Sequence, residues 1–262
     1  MKFTKMHGCG NDFIVIDRAD GPSGAVTITP DVARVLCDRR TGIGADGILV
    51  IGAAGGDGGR RWPIEIHNAD GSVADACGNG SRCVARYLLD RHGGDALELD
   101  TASGIVPARR DPAGIAIELA APAVGAAVPL TLDGHPLEAR AVQAGNPNVV
   151  VFVERPDGID LEALAAVSAA AAGPANVLAV SRSGRAELTL RVHERGVGET
   201  LACGTGAIGA VAASLARGDV SGQTVTVVLP GGTLIVRAGP ERYELAGPAE
   251  YVFSGELAER LR

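Results

Sequence analysis

HNADGSVADACGNG at residues 67–80 and HERGVGETLACGTG at residues 193–206 align without a gap. The histidine, the Ala-Cys pair and both glycines after the cysteine recur at a constant offset of 126 residues (203 minus 77). In a chain of 262 residues, long enough for one large domain or two smaller ones, this offset predicts two copies of one unit. Two weaker echoes agree. Gly10-Asn11 and Gly145-Asn146 each lead into a β-branched run, and residues 43–51 are similar to 173–180.

Apolar runs between turn signals predict strands over 13–17, 47–52, 63–67, 96–101, 105–109 and 115–119 in the first half. The second half gives 137–143, 149–154, 177–182, 186–193, 224–229 and 233–237. Short turns such as Asp111-Pro-Ala-Gly114 and Pro230-Gly-Gly232 imply antiparallel or mixed sheets. Thr29 caps a helix that starts at Pro30 and ends near Thr41-Gly42, and Asp160 caps another over 161–172. Two more helices begin at the cysteine loops. The second, 204–217, is small and apolar on every face, as a buried helix must be. The predicted fold class is therefore α/β (α+β). Two pseudo-symmetric halves each wrap a mixed or antiparallel sheet around a central helix, and the active site lies in the cleft between them. The expected halves are 1–121, to which 250–262 returns, and 122–249, with 119–132 as the crossing.

The net charge of −7 argues against nucleic-acid or anionic-membrane partners. No signal peptide is read at the start. The uncharged stretch 163–181 is broken by Gly173-Pro174, so it is not a membrane span, and a cytoplasmic location is expected. Five cysteines without a close C-x-x-C pair disfavour a disulfide framework or a four-ligand zinc site.

A glycine-rich step at a helix start exposes backbone N–H groups that have no partner in the helix, and the helix dipole adds positive potential. Both favour a thiolate at Cys77 and Cys203, and both favour a bound carboxylate. Paired in one cleft, two thiols can work as base and acid on opposite faces of an amino acid's α-carbon. The loop N–H groups stabilise charge on the carboxylate as the proton leaves. Such a site inverts a stereocentre with no cofactor and no metal. Cys9, Cys37 and Cys83 read as core residues. Cys83, six residues past Cys77, lies about 240° round the helix from it. His67 and His193 read as strand-end packing, without a catalytic role.

The stretches KMHGCGNDFIVID (5–17), DRRTGIGADGILV (38–50), HNADGSVADACGNGSRC (67–83), GNPNVVVF (145–152), ANVLAV (175–180) and HERGVGETLACGTGA (193–207) resemble the diaminopimelate epimerase family. The resemblance implies two pseudo-symmetric halves and interconversion of LL- and meso-diaminopimelate, on the route to lysine and peptidoglycan, without pyridoxal phosphate. It implies Cys77 and Cys203 as the catalytic pair, and Gly78-Asn79 and Gly204-Thr205 as grips on the reacting carboxylate. It also implies Asn11, Asn68, Asn146, Asn176, Glu194 and Arg195 as substrate contacts, in large part to the distal end, where arginine can take a carboxylate with two parallel bonds. A homodimer is implied as well.

Two positions depart from the family pattern. Asn148 stands where the family commonly has a histidine that tunes one cysteine, and Gly47 where some members have glutamine. Asn148 can neither carry charge nor accept a proton, so that tuning must weaken or come from elsewhere; Asn148 and Glu194 are the candidate positions for modulating a thiol. Two other readings stay open: a relative acting on another amino acid, and a thiol redox or zinc-binding protein. Opposed thiols also allow an oxidised Cys77–Cys203 disulfide.

Overall fold

The computed structural model describes residues 1–20, 27–55 and 59–257. The first part of the chain forms β1 (Lys2–Gly8), β2 (Asn11–Asp17), α1 (Pro30–Cys37), β3 (Gly47–Ile51), β4 (Arg61–Asn68), α2 (Gly78–His92), β5 (Ala96–Thr101), β6 (Gly104–Asp111) and β7 (Gly114–Ala120). There follow β8 (Ala123–Ala127), β9 (Leu130–Leu132), β10 (His135–Ala144), β11 (Asn146–Phe152), α3 (Leu161–Ala172), β12 (Asn176–Gly184), β13 (Glu187–Glu194) and β14 (Gly198–Thr200). The last elements are α4 (Gly204–Arg217), β15 (Thr224–Leu229), β16 (Gly232–Ala238), β17 (Arg242–Gly247) and β18 (Glu250–Glu256). Two compact units result: Met1–Ile117 with Pro248–Arg262, and Glu118–Gly247.

The repeat is carried through to the sheets. In unit 1 the pairing runs β18-β1-β2-β3-β4-β5-β6-β7, and only β2–β3 and β4–β5 are parallel. In unit 2 it runs β8-β10-β11-β12-β13-β15-β16-β17, and only β11–β12 and β13–β15 are parallel. A parallel pair needs a crossover, and each crossover is a helix: α1 and α2 in unit 1, α3 and α4 in unit 2. The same offset reaches single pairings, since His67 bridges Val73 and His193 pairs with Glu199.

Helix placement follows from residue pattern. Ile48 and Val50 of β3 pack with Ala33 and Leu36 of α1, so the opposite face of β3 is left for α2. Val177 and Ala179 of β12 likewise pack with Leu161 and Leu164 of α3, and the other face meets α4. These strands are therefore buried on both faces and read as continuous apolar runs. Helix α4 buries ten consecutive-face residues from Gly204 to Ser214, with alanine and glycine where the sheet comes close. Asp160 Oδ1 accepts the Ala163 N–H at 3.0 Å and Thr29 Oγ1 accepts the Val32 N–H at 3.3 Å, the caps expected from sequence.

Three expectations need correction. Helix α1 stops at Cys37, because Asp38 Oδ1 accepts the N–H groups of Arg40 and Thr41 at 2.9 and 2.6 Å and turns the chain early. The stretch 119–132 is not a bare crossing, since β8 and β9 both pair with β10. Strands β1, β14 and β17 were not predicted from the sequence pattern.

Candidate active site

Each cysteine loop ends in a helix whose N-cap is the cysteine. Cys77 adopts φ −148° and ψ 107°, is partly exposed, and its Sγ accepts the Gly80 N–H at 3.3 Å. Cys203 adopts φ −130° and ψ 114°, is 6% exposed, and its Sγ lies 3.4 Å from Thr205 Oγ1. Glycine at the third helical position lets a leucine side chain and the cysteine sulfur come close in both. A Cβ at Gly80 would lie 2.9 Å from Leu49 Cδ2 and 3.3 Å from Cys77 Sγ. At Gly206 it would lie 2.8 Å from Leu178 Cδ2 and 3.4 Å from Cys203 Sγ.

The two thiols differ in electrostatics. Burial pushes the Cys203 thiol up to about 12, and the Glu194 carboxylate pushes the same way. The Thr205 hydroxyl and the Gly206 N–H oppose this without prevailing. The expectation of a labile proton is thus corrected for Cys203, where desolvation and a neighbouring anion outweigh the helix terminus.

In unit 1, Asn79 Nδ2 donates to Asn11 Oδ1 at 3.2 Å, and Asn11 Nδ2 donates to Asp46 Oδ2 at 2.8 Å. Asp46 and Asp12 share Arg39, and Asp12 also holds the buried Lys5 at 2.6 Å. Burial raises the Asp12 carboxyl, but Arg39 and Lys5 outweigh it and bring it to about 2. Gly78 is buried at the start of α2 beside Asn79. Asn68 is exposed and donates to Ser72 Oγ at 2.9 Å. His67 is buried with Nε2 3.6 Å from Glu65.

In unit 2, the buried Asn148 donates to the Asn146 carbonyl at 2.6 Å, and Asn176 donates to Asn148 Oδ1 at 3.5 Å. Asn176 Oδ1 accepts the Arg195 N–H at 2.9 Å, while Glu194 Oε1 accepts the Thr200 hydroxyl at 2.7 Å. The Arg195 side chain is exposed and forms no ion pair among the described residues. Asn146 is exposed, and Gly204 and Thr205 form the first turn of α4. His193 Nε2 lies 2.9 Å from Glu162, tying β13 to α3. All five cysteines are free thiols, and among the described residues no cluster of three or more His, Cys, Asp or Glu is placed to hold a metal. Among the same residues no helix is long and apolar enough to cross a membrane.

Sequence reading gave no role to Lys5, Asp12, Arg39, Asp46 or Arg82. The signal was present in the quoted stretches 5–17, 38–50 and 67–83, but charged residues there read as surface until their burial is known.

Solved structures define the fold. The chain matches a probable proline racemase from Agrobacterium radiobacter with a TM-score of 0.72 and 14% identity, over 98% of this chain and 93% of that one. It matches a hydroxyproline epimerase from Agrobacterium vitis at 0.69 and 16%, over 97% and 91%. It also matches a phenazine biosynthesis protein of the PhzF family from Enterococcus faecalis at 0.73 and 12%, over 98% of each. At these identities the likeness is one of fold: two pseudo-symmetric halves of mixed sheet and helix. Sequence narrows it further. The diaminopimelate epimerase family model matches residues 3–118 and 140–252. A diaminopimelate epimerase from Desulfitobacterium hafniense is 36% identical over 99% of both chains, and diaminopimelate epimerase 1 from a Nostoc species is 38% identical over 98% and 99%. The chain belongs to the diaminopimelate epimerase family.

Proposed function

We propose that this protein interconverts LL- and meso-2,6-diaminopimelate without a cofactor, using Cys77 and Cys203 as base and acid. The observation that carries this reading is the matched pair of cysteine N-caps at α2 and α4, in a member of this family. One thiolate removes the α-hydrogen and the other thiol returns a proton to the opposite face. Backbone N–H groups in the first turns of α2 and α4, which have no carbonyl partner within the helix, hold the reacting carboxylate as charge grows on it. Asn11 and Asn79 orient that end from unit 1. Asn68, Asn146, Asn176, Glu194 and Arg195 take the distal ammonium and carboxylate, and the exposed Arg195 guanidinium, which forms no ion pair among the described residues, suits the carboxylate. Asn148 holds Asn176 in place as a neutral group.

The test is α-hydrogen exchange in D2O by NMR, with wild type, Cys77→Ala and Cys203→Ala on LL-diaminopimelate. Deuterium entering with inversion in wild type, and loss of epimerisation in both variants, is the expected result. Inversion of another amino acid with none of LL-diaminopimelate would overturn the substrate.

A cytoplasmic homodimer is part of the proposal. Tyr251, Val252 and Phe253 lie exposed on β18, the outer strand of unit 1, and a second copy of the chain is the occupant that would cover them. Light scattering on wild type and Phe253→Glu checks this, with a dimer and a monomer expected.

A further inference from the structure

Arg82 is fully buried in the first turns of α2, one residue from Cys83. Its guanidinium donates to Asn79 Oδ1 at 2.9 Å, to the Gly78 carbonyl at 3.4 Å and to the Pro248 carbonyl at 3.5 Å, and it bonds Cys9. The side chain thus folds back towards the start of its own helix. A cation is disfavoured there, because the helix terminus is already positive. A fully buried charge is also costly unless an anion accompanies it. Among the described residues no carboxylate forms an ion pair with Arg82.

Three thiols that can become anionic act on it electrostatically: Cys9 from the β1–β2 turn, and Cys83 and Cys77 from α2, Cys77 being the N-cap of the turn whose Gly78 carbonyl and Asn79 side chain Arg82 bonds. Glu250 of β18 acts on Cys9 and stands 3.5 Å from His7, 62% exposed. Cys9 and Cys83 are buried to 1% and 0%, which disfavours their thiolates. Cys77 is partly exposed and takes the Gly80 N–H on its sulfur.

The repeat sharpens this. At the offset of 126 residues, Arg82 corresponds to Ile208 and Asn68 to Glu194. Alike in backbone, the two loops therefore differ in charge: a cation accompanies Cys77, while an anion accompanies Cys203. We propose that Arg82 is a positioning residue that serves as counter-ion to the Cys77 thiolate. Through Asn79 it also fixes the Asn11 side chain. This deepens the two-thiol reading above: Cys77 rests as the base and Cys203 as the acid.

Alkylation by iodoacetamide, mapped by mass spectrometry from pH 5 to 10, tests it on the whole reduced chain. No substrate is present, so an error in the assigned substrate leaves the result untouched. In wild type, Cys77 should react with a pH midpoint at least one unit below the ordinary thiol value of about 8.5. In Arg82→Met its rate at pH 7 should fall at least tenfold and its midpoint should rise, with Arg82→Lys restoring most of the rate and Cys203 unchanged. A wild-type midpoint at or above the ordinary value overturns the proposal, as does an unchanged Cys77 profile in folded Arg82→Met. If Arg82→Met does not fold, the wild-type midpoint and Arg82→Lys decide: a normal midpoint, or a folded lysine variant at least tenfold slower than wild type at pH 7, refutes it.

Discussion

At the scale of single residues, the surroundings of Cys203 make a directional prediction. Glu194 is an anion that raises this thiol, so Glu194→Gln must lower it. Alkylation of Cys203 at pH 9 should become faster in Glu194→Gln than in wild type, while the proposed distal contact of Glu194 predicts a higher KM for diaminopimelate. No gain in Cys203 reactivity would contradict the assigned cause. Asn148 makes a second prediction. It sits buried between the Asn146 carbonyl and Asn176, where a neutral amide can bond but cannot titrate. Asn148→His brings an imidazole that ionises near neutral pH, so the pH–rate profile should change in at least one direction of the reaction. Identical profiles in both directions would show that this position does not reach either thiol.

Single elements carry the glycine and network predictions. Gly206 lets α4 start against β12, and a methyl there meets Leu178 Cδ2 at 2.8 Å. Gly206→Ala should cost about 1–3 kcal/mol in urea unfolding, from overpacking alone. It should lose more activity than stability, because the same methyl lies 3.4 Å from Cys203 Sγ. Asp12 locks β2 to β1 and to the chain after α1, through Lys5 and Arg39. Its carboxyl stands at about 2 in the folded chain against an ordinary 3.8. A depressed carboxylate stabilises the fold above its unfolded value and ceases to do so as pH falls through the folded one. About 2 kcal/mol should therefore be present at pH 7 and disappear between about pH 4 and 2. Acid titration of wild type and Asp12→Asn checks this: the stability difference should vanish at the bottom of that range.

These elements also show what the sequence could reveal. The caps at Thr29 and Asp160 and the helix beginning at Gly204 were legible because local chemistry alone sets them. The end of α1 was not, since Thr41-Gly42 mimics a helix stop while Asp38 has already turned the chain. Strand β1 was missed because Lys5, which reads as a surface residue, is buried against Asp12 and the Gly44 carbonyl. The matched placement of both cysteines at helix starts was legible from the repeat. Their surroundings were not, because no spacing encodes the fold-back of the buried Arg82 or the approach of Glu194 to Cys203.

For the whole molecule, the connectivity of the units matters most. Unit 1 is built from residues 1–117 and from 248–262, so its sheet is continuous while its sequence is not. Strand β1 lies between β2 and β18. A chain stopped after Gly247 leaves β1 as an open edge, and circular dichroism and proteolysis of that fragment should show unit 1 loosened. The living ribosome makes this truncation every time it translates the message. Residues 250–256 must leave the exit tunnel before β1, made long before them, can meet β18. Unit 2, whose strands all lie within residues 118–247, needs no such wait. Unit 1 thus begins before unit 2 and is completed after it, and a nascent chain halted before β18 would carry Cys77 on an unfinished scaffold.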